Sequence, residues 1–406
     1  MKKSGSADLP LHTGRVPPWL YERMTKIGKA IAEAIIEEFG TSEFLSRISD
    51  PHWFQSLGAV MGMDWHSSGI TTSVLGALKK AINPLSHEYG IYVCGGRGKH
   101  SRQTPKELIE IANTYNLNGN KLVKSSKLSA KIDNTALQDN YQLYLHNFIL
   151  NNKGEWAVVQ QGMNAENRMA RRYHWHSPMI KSFVEEPHKA VCGKNHGLIL
   201  NLAAKEAGIA RDGIMEITKE KPWKMMEEVK KLTMPTHHKV LYTDIDLKRL
   251  GSVLTLAYEG ACKDFENLLL VHGLGPKTLR SLTLISEIIY GTPSRFTDPA
   301  RFSFANGGKD GAPFPVQTSV YDDTIQQLEK LLTRAKLGYT DKKTAFKNLS
   351  KATISIEKKF QPNPIQYEQF LENEKKESWK HGGRTAFGKS LPPKNENSGP
   401  KQLKLF

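Results

Sequence analysis

The stretch Leu268 to Leu279 reads Leu-Leu-Leu-Val-His-Gly-Leu-Gly-Pro-Lys-Thr-Leu, and it leaves the backbone little choice. An apolar helix end runs into Gly273-Leu274-Gly275, and a second helix opens with Pro276, Lys277 and Thr278. Glycine accepts positive φ and tolerates close approach, so two glycines flanking one apolar residue allow a tight turn between helices. Proline fits the first helical turn, where its missing N–H costs nothing. The backbone N–H groups at such a helix start form an anion site. Lys277 is misplaced against the helix dipole unless an anion lies between them, and a phosphate would supply one.

Val271, Gly273, Leu274 and Gly275 match the apolar, any, Gly, apolar, Gly core of the helix-hairpin-helix motif, which this stretch resembles. That resemblance implies a grip on the DNA backbone by His272, Gly273, Leu274, Gly275, Lys277 and Thr278, and Leu268, Leu269, Leu279 and Leu282 flank it at helical spacing. The other reading is an ordinary helix-turn-helix inside a core. Charge favours the first: 57 Lys+Arg against 41 Asp+Glu give a net +16 and a pI near 9.5, which suits a polyanion, nucleic acid ahead of an anionic membrane. No apolar run is long enough to span a bilayer and Met1 to Asp8 has no signal-peptide core, so the expected location is cytoplasmic, on the nucleoid. Cys94, Cys192 and Cys262 are too scattered for a zinc or Fe–S site, and no nucleotide motif is present.

The expected fold class is α+β: a mixed α/β domain over residues 1–236, a helical helix-hairpin-helix domain over 237–340, a charged helical extension over 341–380 and a disordered basic tail over 381–406. Leu20, Met24, Ile27, Ile31, Ile35 and Phe39 predict a helix that Gly40 stops. Ser49-Asp50-Pro51 starts a segment that runs through Leu57, and further helices are expected from Thr72 to Ile82 and from a capped start at Thr104-Pro105-Lys106-Glu107. Gly90 to Cys94 reads as a strand, and Tyr141–Leu150 with Glu155–Gln161 as a β-hairpin around Asn151-Asn152-Lys153-Gly154. Arg168, Arg171 and Arg172 and the string Tyr173-His174-Trp175-His176 then follow a Gly162 turn.

Candidate catalytic residues are Asp64 and His66, which face one way if extended, His174, which repeats that spacing with His176, and Asp139 and Gln161 at strand ends. Such a set would suit a nuclease using Mg²⁺ or Mn²⁺, although the spacing matches no named ligand signature and packed or surface histidines remain the other reading. Arg171 and Arg172 after a glycine turn, with Arg97, Lys99 and Arg102 beside a glycine cluster, are candidates for gripping phosphate, and are faintly similar to the phosphate boxes of partition-protein nuclease domains. In helix-hairpin-helix glycosylases a lysine after the hairpin forms a Schiff base assisted by an aspartate; Lys277 holds the matching place, and Asp298 stands near the expected distance outside the usual context.

The chain ends Gln402-Leu403-Lys404-Leu405-Phe406, which resembles the pentapeptide by which bacterial polymerases and repair proteins bind the sliding clamp. Gln402, Leu403, Leu405 and Phe406 would seat in its groove. From about residue 7 to about residue 325 the chain resembles the bacterial and archaeal family catalogued as domain of unknown function 763. The carrying segments include Asp50-Pro51-His52-Trp53-Phe54-Gln55, Asp64-Trp65-His66-Ser67-Ser68-Gly69, Trp156 to Asn164, Ala170 to Trp175 and Phe304 to Gly311. The family carries no established activity. Together these readings lead to a DNA-binding protein of repair or replication with weak sequence preference, recruited to the clamp and cutting DNA with a metal ion. A non-enzymatic adaptor, a glycosylase-lyase and an RNA-processing enzyme are the alternatives; oligomeric state is open.

Overall fold

A computed structural model describes residues 9–10, 16–63, 68–229, 246–300 and 318–359, and short pieces at 372, 376, 384–385 and 388–389. Its helices are α1 Pro18–Ile48, α2 Pro51–Val60, α3 Gly69–Ile82, α4 Ser86–Tyr89, α5 Thr104–Tyr115, α6 Gly119–Lys131, α7 Gly208–Lys219, α8 Pro222–Val229, α9 Leu247–Glu259, α10 Phe265–Leu269, α11 Pro276–Tyr290, α12 Thr318–Arg334 and α13 Tyr339–Lys359. Its strands are β1 Leu9–Pro10, β2 Ile91–Arg97, β3 Leu137–Gln138, β4 Gln142–Asn151, β5 Trp156–Asn164, β6 Met169–His176, β7 Ala190–Cys192 and β8 Leu200–Asn201. Helix and antiparallel sheet are thus mixed, as the α+β expectation has it.

Local chemistry accounts for the main boundaries. Met24, Ile27, Ile31 and Ile35 line the buried face of α1, and Gly40, at φ 84° and ψ 174°, breaks it. The chain re-enters helix at once instead of stopping, so α1 is kinked. Asp50 caps α2 by accepting from the His52 and Trp53 N–H groups, and Pro51 occupies the first turn. Every residue of α2 is buried. At α5 the expected cap is absent: Thr104 donates its hydroxyl back to the Ser101 carbonyl, 2.8 Å away.

The main sheet is antiparallel in the order β1-β6-β5-β4-β2, with β7 also on β6. The predicted β-hairpin is β4 and β5, closed by a turn in which Gly154 takes φ 85°. The arginine-histidine run expected after a Gly162 turn is β6: Gly162 lies inside β5, and the residues of β6 pair along it from Ala157↔His176 to Asn164↔Met169. Alternation then sends Arg171, Tyr173 and Trp175 to one face and Arg172, His174 and His176 to the other.

Both faces are covered. One joins α5, α6, α7, α9, α10 and α11 in a single apolar cluster containing Leu108, Leu128, Trp175, Ile214, Leu254, Leu268 and Leu279. That cluster draws on described residues from both sides of the expected boundary at residue 236. The other face joins α1, α2 and α3, and onto these pack α12 and α13 through Leu328, Leu331, Leu332, Ala345 and Leu349. The charged extension therefore contributes Ala345 and Leu349 to the core. Residues 381–406, expected as a disordered tail, lie outside the described residues except for 384–385 and 388–389.

Candidate nucleic-acid interface

Between α10 and α11 the chain makes a short turn that carries Gly273, Leu274 and Gly275. Asp264 caps α10 by accepting from the Asn267 N–H, and the chain leaves helix after Leu269. Gly273 takes φ 86°, a conformation that strains any residue with a Cβ. Leu274 is buried between the two glycines and plugs the turn into the apolar cluster, with its N–H on the Val271 carbonyl at 3.2 Å. Burying such a side chain stabilises the turn by about 2 kcal/mol. Gly275 begins α11 with extended backbone and no side-chain cap, and Pro276 follows in the first turn. His272, Pro276 and Lys277 are exposed, whereas the Thr278 side chain is buried, leaving that residue's backbone as its means of contact.

Side chains from three other elements, two of them cationic, hold this turn. Arg249, at the start of α9, donates its Nε to the Gly273 carbonyl at 2.9 Å. Lys131, the last residue of α6, donates its Nζ to the Leu274 carbonyl at 2.6 Å. A trans peptide points its C=O and the following N–H in opposite directions, so fixing the Leu274 carbonyl on Lys131 aims the Gly275 N–H the other way. Gln138 Nε2 donates to the Pro276 carbonyl at 2.8 Å, and Arg280 Nε donates to Gln138 Oε1 at 2.6 Å. Burial, and the Arg249 guanidinium beside it, lower the pKa of the Lys131 ammonium. Lys131, Arg249, Lys277 and Arg280 thus concentrate positive charge around an uncapped helix start, an arrangement that favours an anion. Sequence reading missed Lys131, Gln138, Arg249 and Arg280. The spacing of Lys121, Lys124, Lys127 and Lys131 on α6 was the available signal, a basic row at helical period.

The other candidates go elsewhere. Arg171 and Arg172, expected to grip phosphate, are fully buried and cannot present a surface grip. Arg171 lies between Asp139, at 3.0 Å, and Asp298, which it meets with both terminal nitrogens at 3.0 and 2.7 Å. Tyr173 also donates to Asp139, at 2.7 Å, and the Arg171 guanidinium stacks 4.8 Å from the Tyr141 ring centre. Asp298 further accepts from the His196 and Ala300 N–H groups, both at 2.8 Å. The aspartate of the lyase reading is therefore an internal ion-pair partner.

On the opposite face Arg172 donates to His174 Nε2 and to Gln55 Oε1, each at 2.9 Å, and stacks over Phe54. Gln161 joins the same group through Thr71, Tyr144 and the Ser68 carbonyl. Burial and then the Arg172 charge hold the His174 pKa well below its ordinary value, so this imidazole is neutral and accepts. The candidate catalytic set is accordingly divided: Asp139 belongs with Arg171, while Gln161 and His174 lie beneath the other face. The sheet separates them because neighbouring residues of a strand point opposite ways. Asp64 and His66 lie outside the described residues. Among the described residues no three His, Cys, Asp or Glu side chains come together as a metal-holding group. Gln402, Leu403, Leu405 and Phe406 also lie outside them. No described helix is long and apolar enough to cross a membrane.

A family model described as protein of unknown function (DUF763) matches residues 5–316, more than half of the chain. The chain belongs to the DUF763 family. The matched DUF763 segment holds the sheet, the helices from α1 to α11 and the hairpin, and it ends just before α12. No curated protein and no solved structure matches the chain.

Proposed function

We propose that this protein binds duplex DNA along its phosphate backbone, without reading bases, by seating a phosphate on the α10–α11 hairpin. The observation that carries this is the uncapped start of α11 with Lys277 exposed in its first turn and Arg249 beside the turn. A cation there opposes the helix dipole by roughly 0.3–1 kcal/mol, a cost that becomes a gain once an anion sits between. Contacts of this kind carry no base sequence and weaken steeply with salt.

Fluorescence anisotropy with a labelled duplex tests the reading. At low salt Lys277→Glu combined with Arg249→Glu is expected to weaken binding at least tenfold, and binding at wild-type strength would overturn it. Flap, nicked and abasic DNA in Mg²⁺, Mn²⁺ or EDTA, run alongside, report whether strand cleavage accompanies binding. The terminal Gln402 to Phe406 segment is the proposed attachment to a sliding clamp, supported by its sequence alone. Deleting those residues should abolish clamp pull-down; retention unchanged would remove that part.

A further inference from the structure

The glycine-rich loop after β2 forms a second cationic group at the same end of the sheet as the hairpin. β2 ends at Arg97, paired with Leu145 of β4. Gly95, Gly96 and Gly98 take φ of 81°, 138° and 57°, and a tight turn from Gly98 to Gln103 leads into α5. The base of this loop is locked. Gly95 donates its N–H to Glu107 at 2.6 Å and accepts from Lys79 Nζ at 2.8 Å, and Lys79 also meets Glu107 at 2.8 Å. A Cβ on Gly95 would lie 2.3 Å from the His146 carbonyl oxygen, so this close approach requires glycine. Above the locked base Arg97, Lys99, His100 and Arg102 are all exposed. Arg97 rests over the Tyr144 ring at 5.8 Å. Glu107, the acid at the base, already serves Lys79 and Gly95.

Two short links join this loop to the hairpin. Lys131 touches the hairpin at Leu274, and three residues on, Asn134 accepts from the N–H of Leu143 at 3.1 Å, two residues before Leu145. Helix and strand spacings then place Arg97 on the order of 20 Å from the hairpin. Between and around them β4 begins, β5 ends and β6 begins, and the turns there add exposed Arg168 and Lys194 against one exposed acid in the β5–β6 turn, Glu166.

We propose that the Arg97–Arg102 loop is a second phosphate contact on the same duplex, so that DNA lies across this end of the sheet and is held at two rigid points. The proposal rests on the hairpin reading above. Roughly 20 Å corresponds to about six base-pair steps, a span that a stiff duplex bridges without being ordered first. The backbone at the base of the loop is anchored through Gly95 and Glu107, which lowers the ordering cost of contact.

The test compares full-length wild type with Arg97→Gln/Lys99→Gln/Arg102→Gln and with Lys277→Gln/Arg249→Gln, over a salt series, on a duplex of about 4 base pairs closed by a short loop, about 10 Å long and too short to reach both points, and on a duplex of about 24 base pairs. The loop variant should lose about 2–3 from the slope of log affinity against log salt on the longer duplex while binding the shorter one as wild type does. A wild-type slope on the longer duplex would overturn the second contact and leave the hairpin reading standing. The hairpin variant should weaken both duplexes; wild-type binding to both would overturn the hairpin reading and this proposal with it. All five positions are exposed, and thermal unfolding of each variant at the wild-type midpoint confirms that the readout concerns binding.

Discussion

Arg171 is the residue on which one side of the interior turns. It is fully buried with two carboxylates, Asp139 and Asp298, against one guanidinium, so the group has an excess of negative charge. Removing the arginine would leave both acids without a cation, and Arg171→Leu is expected to destabilise by about 3–5 kcal/mol in urea unfolding. A loss below about 1 kcal/mol would contradict the assignment of a structural ion pair. Desolvation, opposed by Arg171 and assisted by Asp298, raises the Asp139 pKa to about 6. A folded-state pKa above the ordinary value near 4 means a stability contribution that is complete below about 4 and is lost as pH rises through about 6. The stability difference between wild type and Asp139→Asn should therefore shift in favour of wild type on going from pH 7 to pH 5. An unchanged difference would count against the raised value.

At the level of elements, the turn of the helical hairpin depends on one backbone angle as well as on the bonds from Arg249, Lys131 and Gln138. Gly273→Ala meets ordinary packing, since its Cβ would stand 3.7 Å from Val253, so the φ of 86° alone sets the cost. That cost should be about 1–2 kcal/mol in denaturant unfolding, together with weaker duplex binding; an alanine variant as stable as wild type would mean the turn has another shape. This hairpin was legible because glycine, proline and the leucine spacing each act over a few residues. The β4–β5 hairpin was legible for the same reason. β6 was not: both faces of the sheet are covered, so its residues are buried almost without exception and show no polar alternation to mark a strand. The partners of Arg171 stand 32 and 127 residues away, a distance over which no local pattern connects them. Arg171 and Arg172, which read as surface grips, are thus core residues, and the cations that do surround the hairpin come from α6, α9 and α11.

Across the whole molecule, the sheet is a partition with the hairpin layer on one side and α1 to α3 on the other, and α12 with α13 closes the second side. A chain ending at residue 317 would uncover the apolar faces beneath Leu328, Leu331, Leu332 and Leu349, each worth about 2 kcal/mol when buried. Such a truncation should melt earlier and bind a hydrophobic dye that wild type excludes. An equally stable, dye-silent product would show that the two helices only rest on the surface. The family match stops at residue 316, so in this chain the covering pair lies outside the segment by which DUF763 is recognised. That cover also sets an order in time. α1 and α2 leave the ribosome early, while Leu349 follows the end of α1 by about 300 residues, or roughly 15–60 s at ordinary synthesis rates. Over that interval the nascent N-terminal helices carry a bare apolar flank, and the growing chain has reason to engage a chaperone until α13 is made.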